Sequence, residues 1–252
     1  MRTQTPNKKQ VAAGYSVKPK GKTTVRINKH MADIGLSSRR EADEMILAGK
    51  VYVNGTKAVP GMQIDPIMDK VELRGAKQSY VYYAYNKPMG LVTTGAQGDE
   101  EDILDNTKFR TPVFPIGRLD KESHGLILMT NDRRITHRLL DPKFEHEKEY
   151  RVTLAKGVNQ KFIDKLEHGM VIDRVRTMST QITRESDKTF RIILKEGRNR
   201  QIRKMVEAAG DQVMDLIRLR IEHIKIGDLQ DGAYRNLTKS EISTLLKKLN
   251  LK

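Results

Sequence analysis

The middle of the chain contains the stretch Gly117-Arg118-Leu119-Asp120-Lys121-Glu122-Ser123-His124-Gly125. Apolar segments at 113–116 and 125–130 flank it and predict buried strands, so the stretch itself is predicted to be a loop at the edge of a sheet. Two cations, Arg118 and Lys121, flank Asp120 and favour its ionised state, which a nucleophile or a base needs. An aspartate between strands is commonly a turn or cap residue. The stretch alone therefore leaves a catalytic and a structural role open.

Two further segments carry reactive or basic side chains on predicted elements. Lys148-Glu149-Tyr150-Arg151-Val152 places a tyrosine near the start of a predicted strand at 149–154, where its ring can stack on a base or simply pack. Gly197-Arg198-Asn199-Arg200-Gln201-Ile202-Arg203-Lys204-Met205 is a basic loop that enters a predicted helix at 199–209. A helix N-terminus favours anions, so this segment indicates an anion site; an ordinary solvated helix face is the alternative.

The charge balance predicts a polyanionic partner. Lys and Arg number 47 and Asp and Glu number 32, which gives a formal net charge of +15. Residues 1–22 contribute six cations and no acidic residue, and 191–204 form the densest basic segment after them. Each phosphate that a cation neutralises releases counterions, so binding to a nucleic acid would depend strongly on salt. Charge alone does not separate RNA from DNA or from an anionic membrane.

The composition excludes several kinds of site. The chain has no cysteine, which rules out disulfides, thiolate nucleophiles and zinc sites that need sulfur. Its six histidines show no paired ligand spacing. The longest apolar stretches have four or five residues, far fewer than the roughly 20 of a membrane helix. The basic N-terminus lacks the apolar segment of a secretory signal. We therefore expect no membrane span and a cytoplasmic location.

Two domains are predicted after a flexible basic tail at 1–22. Helical spacing from Ile27 to Ile34, a capping box at Ser38-Arg39-Arg40-Glu41 and short strands at 51–53 and 71–73 predict two helices and a small sheet within 23–76. Residues 77–80 are a predicted linker. A larger domain at 81–252 opens with a strand at 81–85, adds strands at 149–154 and 189–194, and ends with a helix after the capping box Thr238-Lys239-Ser240-Glu241.

Three ordered motifs of the larger domain resemble those of bacterial pseudouridine synthases of the RsuA/RluF branch. They are Gly117-Arg118-Leu119-Asp120 with Ser123 and Gly125-Leu126, then Lys148-Glu149-Tyr150, then Arg198-Asn199-Arg200-Gln201-Ile202-Arg203. Asn86-Lys87-Pro88-Met89-Gly90 resembles the start of that domain, and Arg235-Asn236-Leu237-Thr238 resembles its end. Residues 24–75 are similar to the S4 RNA-binding module that precedes it. Residues 113–116 and 146–150 favour the RluF type within the branch.

The resemblance implies an α+β protein in which a small S4 domain precedes a catalytic domain built on a mixed, mainly antiparallel β-sheet with a central cleft. It implies an enzyme that detaches the uracil of a uridine in structured RNA, rotates it and rejoins it to the ribose through carbon. No cofactor and no metal are implied. The expected substrate is ribosomal RNA, above all large-subunit RNA, with small-subunit RNA and transfer RNA as alternatives. We expect a monomer.

The resemblance also assigns residues. It makes Asp120 the catalytic carboxylate, Tyr150 the ring that stacks on the target base and assists proton transfer, and Arg203 the cation paired with Asp120. Whether Asp120 attacks the sugar or removes a ribose proton is open at this point. The tail at 1–22 lies outside the family pattern and is expected to add non-specific RNA affinity. The expected RNA-binding residues are Arg39, Arg40, Arg118, Leu119, Lys121, Arg198, Arg200, Gln201, Ile202 and Lys204.

Two other functions would use the same basic surfaces. A non-catalytic RNA-binding protein, acting as a ribosomal RNA chaperone or a translational regulator, suits the S4-like module and the charge. A DNA-binding regulator would need a recognition helix and a dimerising heptad, and neither is evident in the sequence. A pure binder has no use for the carboxylate of Asp120 beside a polyanion, because it would repel phosphate. The catalytic motifs therefore favour the enzyme.

Overall fold

The computed structural model describes residues 24–34, 36–75 and 79–251. The predicted tail at 1–22 and the predicted linker residues Lys77 and Gln78 lie outside these ranges. Within them, buried apolar side chains form three clusters, one in the N-terminal module and two in the larger domain. The separate clusters agree with two domains; the boundaries at 23–76 and 81–252 stay a prediction.

The N-terminal module consists of two helices packed on short strands. Its strands are β1 (Val25–Arg26), β2 (Val51–Val53), β3 (Thr56–Lys57), β4 (Gln63–Ile64) and β5 (Val71–Leu73), and its helices are α1 (Ile27–Asp33) and α2 (Arg39–Leu47). The order β3-β2-β5 forms one small sheet, and β1 pairs with β4. The predicted capping box opens α2: Ser38 Oγ accepts a hydrogen bond from the Glu41 backbone N–H, and Glu41 Oε2 accepts one from the Ser38 N–H. Local sequence patterns thus predicted the two helices and the strands β2 and β5 of this module.

The larger domain contains one long sheet and a separate pair of short strands within 171–176. Its strands are β6 (Tyr82–Lys87), β7 (Phe114–Ile116), β8 (His124–Thr130), β9 (Lys148–Leu154), β10 (Val171–Ile172), β11 (Val175–Arg176), β12 (Gln181–Arg184), β13 (Thr189–Leu194), β14 (Val213–Ile221), β15 (Ile224–Lys225) and β16 (Tyr234–Asn236). Its α-helices are α3 (Ile103–Asn106), α4 (Arg134–Leu140), α5 (Gln160–Glu167), α6 (Gln201–Ala208) and α7 (Lys239–Lys248), with a 3-10 turn at Pro142–Phe144.

The sheet is mixed and mainly antiparallel, which confirms the predicted α+β class. Its described strands follow the order β12-β13-β9-β14-β8-β6-β16, while β7 also pairs with β8 and β15 with β14. The β14–β8 pairing is parallel and the other pairings are antiparallel. Apolar side chains of α5 and α6 cover one face, and those of α4 and α7 cover the other. The sheet is therefore a buried central layer.

The carboxylate of Glu241 stabilises the start of the last helix, and this stabilisation depends on pH. Glu241 accepts hydrogen bonds from the Thr238 N–H at 2.8 Å and from both terminal nitrogens of Arg235 at 2.9 and 2.8 Å. Hydrogen bonding to Arg235, opposed by partial burial, lowers the pKa of Glu241 to about 2. Because this folded-state pKa lies below the unfolded value of 4.5, the stabilisation is complete above pH 4.5 and is lost as the pH falls towards 2.

We expect Glu241→Gln to lower the free energy of unfolding by roughly 1 kcal/mol at pH 7, since the pair is partly exposed and screened by solvent. The difference between the variant and the wild type should shrink as the pH is lowered from 4.5, because the protonated glutamic acid resembles the amide. Urea unfolding at a series of pH values measures it. A difference that stays constant down to the acid limit of folding would contradict the assignment.

Candidate active site

The loop that carries Asp120 is fixed by hydrogen bonds on both sides of this residue. Thr93 is buried, and its Oγ1 donates to the Leu119 carbonyl at 2.7 Å and accepts from the Leu119 N–H at 3.0 Å. On the other side, the Gly90 N–H donates to the Lys121 carbonyl at 2.8 Å. The Asp120 carbonyl itself accepts from the Ser123 N–H at 3.0 Å. The backbone around the half-buried Asp120 is therefore held from the turn that follows β6 and from within the loop.

Thr93 gives a direct test of this support. We expect Thr93→Val to slow turnover about tenfold, because a loosened loop misplaces Asp120. The same change should lower stability by roughly 1–3 kcal/mol, since the Leu119 N–H and carbonyl lose their buried partner. Single-turnover rates and thermal unfolding measure the two effects, and Thr93→Ser, which retains the hydroxyl, should restore most of both. A Val variant with wild-type rate would show that the hydroxyl does not position Asp120.

A row of side chains crosses the sheet next to this loop. Lys87 on β6 is paired with Gly125 on β8, Gly125 with Arg218 on β14, and Arg218 with Tyr150 on β9. Paired residues of neighbouring strands point to the same face. Gly125 has a φ of 104°, and a Cβ at this position would lie 2.5 Å from the Arg218 carbonyl oxygen. Only glycine therefore permits this close approach of β8 and β14.

The row makes the site electropositive. Lys87 is fully buried and donates to the carbonyls of Pro88 at 2.9 Å and Leu91 at 2.5 Å. Burial lowers the pKa of Lys87 to about 8, and the nearby carboxylate of Asp120 partly opposes this. Burial and then the charge of Arg218 lower the pKa of Lys148, on the same face of β9, to about 8. We name Lys87, Lys148 and Arg218 the cationic floor; within the described ranges none of them has an ion-pair partner.

Tyr150, the residue predicted to stack on the target base, lies beside Arg218 of the cationic floor. Its side chain is 9% exposed, and the Arg218 guanidinium carbon lies 6.0 Å from the centre of its ring. The ring and Leu119, which precedes Asp120 in the loop, pack in the same buried cluster, so the ring and the Asp120 loop lie on the same side of the sheet.

Arg203 corrects one prediction. The guanidinium does not pair directly with Asp120 but holds the same loop: Nη2 donates to the Glu122 carbonyl at 2.9 Å and to Ser123 Oγ at 3.2 Å, while Nη1 lies 3.5 Å from the Val213 carbonyl. Its Nε is buried and has no partner in the parts of the chain that the structure describes. The helix α6 places Arg203 beside the loop as expected, but the bonds it makes are to loop atoms two and three residues beyond Asp120.

The expected RNA-binding residues divide into exposed and buried groups. Arg39 and Arg40 are exposed in the first turn of α2, and Arg118 is exposed without an ion pair to any described carboxylate. Four other cations already pair with carboxylates, namely Lys121 with Glu100 at 2.7 Å, Arg198 with Glu196 at 3.0 Å, Arg200 with Glu122 at 2.7 Å, and Lys204 with Asp173. Phosphates would have to compete with these carboxylates for the cations.

Three of the expected RNA-binding residues have buried side chains. Leu119, Gln201 and Ile202 are at most 7% exposed. The side chains of Leu119 and Ile202 pack in the core, and the amide of Gln201 donates to Glu196 at 2.7 Å and accepts from the Arg198 N–H at 3.1 Å. In this structure these side chains support the loops that carry the exposed cations, and a contact with RNA through them stays a prediction.

Known proteins show the same two-part organisation. A sequence profile of the RNA pseudouridylate synthase family matches residues 81–208, and a profile of the S4 domain matches residues 25–71. The chain belongs to the RNA pseudouridylate synthase family. It is similar to the dual-specificity RNA pseudouridine synthase RluF of Escherichia coli strain K12, with 38% identity over 231 residues that cover 89% of this chain and 79% of that protein.

Two further relatives agree with this membership. The ribosomal large subunit pseudouridine synthase B of Bacillus subtilis strain 168 is 34% identical over 236 residues, which cover 87% of this chain and 95% of that protein. The crystal structure of a pseudouridylate synthase aligns with a TM-score of 0.66 and 28% identity over 88% of this chain and 99% of that one. The resemblance to pseudouridine synthases is thus confirmed, and the protein is an isomerase that acts on RNA.

Sequence reasoning missed three residues of this pseudouridine synthase's site: Thr93, Lys87 as part of the floor, and Arg218. Lys87 and Arg218 each occupy an inward position of a strand otherwise lined with apolar side chains. A cation at such a position is unusual because burial penalises its charge, and this was the sign available in the sequence.

Among the described helices, none is long and apolar enough to cross a membrane.

Proposed function

We propose that this enzyme converts a specific uridine of ribosomal RNA, most readily of the large subunit, into pseudouridine. The observation that carries the proposal is the juxtaposition of Asp120, on a loop held by Thr93 and Arg203, with Tyr150 and the cationic floor. The names of two relatives support the substrate, since one is a ribosomal large subunit synthase and the other a dual-specificity RNA synthase. Transfer RNA and small-subunit RNA are alternative substrates.

The reaction requires that the target uridine leave the base stack and enter the site. The N1–C1′ bond then breaks and its electron pair goes to the uracil, while Asp120 either attacks C1′ or removes a ribose proton. The freed uracil turns and C5 bonds to C1′, while Asp120 either leaves C1′ as its bond to that carbon breaks or returns the proton to the ribose. The C5 proton is lost and N1 gains a proton, so the product is an isomer of the substrate and Asp120 is regenerated. Stacking on Tyr150 retains the uracil during its rotation.

The exposed cations bind the RNA. Arg118 lies two residues before Asp120, is exposed and is available to a phosphate near the flipped uridine. Arg39 and Arg40 present two charges from the S4 domain. When RNA binds, Arg200 gives up its ion pair with Glu122 and pairs with a phosphate instead. Breaking the ion pair costs free energy, so binding is sensitive to where the RNA backbone places that phosphate. The tail at 1–22 adds salt-sensitive, sequence-independent affinity. The enzyme works as a monomer in the cytoplasm.

The experiment that tests this proposal incubates the full chain with unmodified large-subunit, small-subunit and transfer RNA transcripts. Carbodiimide labelling and primer-extension stops then locate pseudouridine at single-nucleotide resolution. We expect one strong stop in large-subunit RNA, absent without enzyme. A stop only in another RNA would correct the substrate, and no stop in any of these RNAs or in partly assembled subunits would refute the proposed activity.

A further inference from the structure

Arg218 is a buried cation with an unsatisfied donor in the centre of the site. It is 3% exposed, and its Nε donates to the Leu126 carbonyl at 2.6 Å. Its Nη2 is buried and has no hydrogen-bond partner among the residues that the structure describes. Two residues further along β14, Arg220 is paired with Glu147 at 3.0 Å and Glu149 at 2.7 Å. The same strand therefore carries one arginine that is fully paired and one that is not.

The position of Arg218 favours a contact with the target base over a contact with the RNA backbone. Its strand neighbours are Gly125, which follows the Asp120 loop, and Tyr150. Without a Cβ at Gly125, β14 lies close enough for the Arg218 side chain to reach across β8 to the Leu126 carbonyl. A phosphate contact needs an exposed cation, as at Arg118, whereas the buried guanidinium of Arg218 lies 6.0 Å from the centre of the Tyr150 ring, on which the proposed function stacks the uracil.

A buried charge without a counter-ion is costly, and such groups are found where a charge must be met during function. The cationic floor contains three cations, and carboxylates act on two of them from nearby: Asp120 on Lys87 and Glu222 on Lys148. Among the described residues, Arg218 has no ion-pair partner. The reaction proposed above creates a negative charge that Arg218 can meet, because the uracil leaves the sugar with the electron pair of the N1–C1′ bond. Donors already oriented towards a developing anion lower the barrier to its formation.

Building on the proposed function, we propose that Arg218 is a further catalytic residue: its unpartnered Nη2 donates a charge-assisted hydrogen bond to a carbonyl oxygen of the departing uracil and stabilises the anion. The bond is strongest after cleavage and weakens once C5 bonds to C1′ and N1 is protonated, because the uracil is then neutral again. The interaction therefore favours cleavage without holding the product.

The test compares two RNA substrates, one with uridine and one with 5-fluorouridine at the target position. Fluorine withdraws electrons and stabilises the detached uracil without help from the protein. We expect Arg218→Met to slow single-turnover cleavage about 10²-fold with uridine, as for loss of one anion-stabilising donor, and only about tenfold with 5-fluorouridine. Samples taken during the reaction are digested with a nuclease and separated by chromatography. The rate at which the N-linked nucleoside disappears is then measured for each substrate.

Two controls separate this role from a structural one. Arg218→Lys retains a cation and should react about tenfold faster than Arg218→Met. The RNA affinity of Arg218→Met and of Arg218→Lys should stay within about threefold of wild type. Arg220→Met removes the paired arginine of the same strand and should lower the melting temperature while slowing both substrates equally. Equal slowing of the two substrates by Arg218→Met, or no slowing, would overturn the proposal. An inactive wild type would instead refute the proposed function.

Discussion

Asp120→Asn is expected to reduce pseudouridine formation by at least about 10⁴-fold, the scale of loss seen when an essential nucleophile or base is removed. The amide has nearly the same shape as the carboxylate but can neither attack C1′ nor accept a ribose proton. In the described chain Asp120 takes part in no side-chain hydrogen bond or ion pair, so its replacement leaves the packing intact. Both possible chemical roles of Asp120 lead to the same expected loss.

RNA affinity distinguishes catalysis from binding in this variant. Removing a negative charge near phosphate should leave the dissociation constant unchanged or slightly lower. Filter binding and single-turnover assays on the same RNA give the two quantities. Glu122→Gln is the matched control, because it removes the next carboxylate of the same loop, is exposed, and contacts Arg200 and not the base. Turnover by Asp120→Asn above a tenth of the wild-type rate would refute the catalytic assignment.

Local signals in the sequence predicted the elements that local interactions stabilise. The capping boxes of α2 and α7 were readable because the serine or threonine and the glutamate stand three residues apart. The short strands β2, β5 and β13 were found at their bounds since apolar and β-branched residues end sharply at turns. Each of these elements depends on a pattern within about ten residues.

The central strand β14 escaped prediction for a physical reason. Arg218 and Arg220 interrupt its apolar residues, and its register with β9 shifts at two places, so the alternation that marks a strand is broken. Its parallel pairing with β8 joins segments about ninety residues apart. The bonds of Thr93 to Leu119 and of Arg203 to Ser123 likewise span the fold. Sequence motifs predicted roles for Asp120, Tyr150 and Arg203, but not the contacts that hold or surround these residues.

Arg203→Met is expected to slow turnover by about 10³-fold at saturating RNA. The guanidinium joins α6 to the Glu122 carbonyl and to Ser123 Oγ, so its loss releases the loop that carries Asp120 and removes a positive charge from the site. A lysine presents one ammonium group where the guanidinium reaches two acceptors, so Arg203→Lys should have an intermediate rate. The effect should fall on the rate constant of the bound complex, with RNA affinity changed less than about fivefold.

Lys204 provides the comparison that makes this result specific. It is the next residue of α6, carries the same charge and is paired with Asp173 on the surface. We expect Lys204→Met to weaken RNA binding a few-fold and to leave the saturated rate unchanged, because a phosphate contact contributes mainly sequence-independent affinity. Single-turnover rates measured across a range of RNA concentrations separate the two parameters. If Arg203→Met lowered only affinity, as Lys204→Met does, Arg203 would be an RNA contact and the loop would hold Asp120 in place without it.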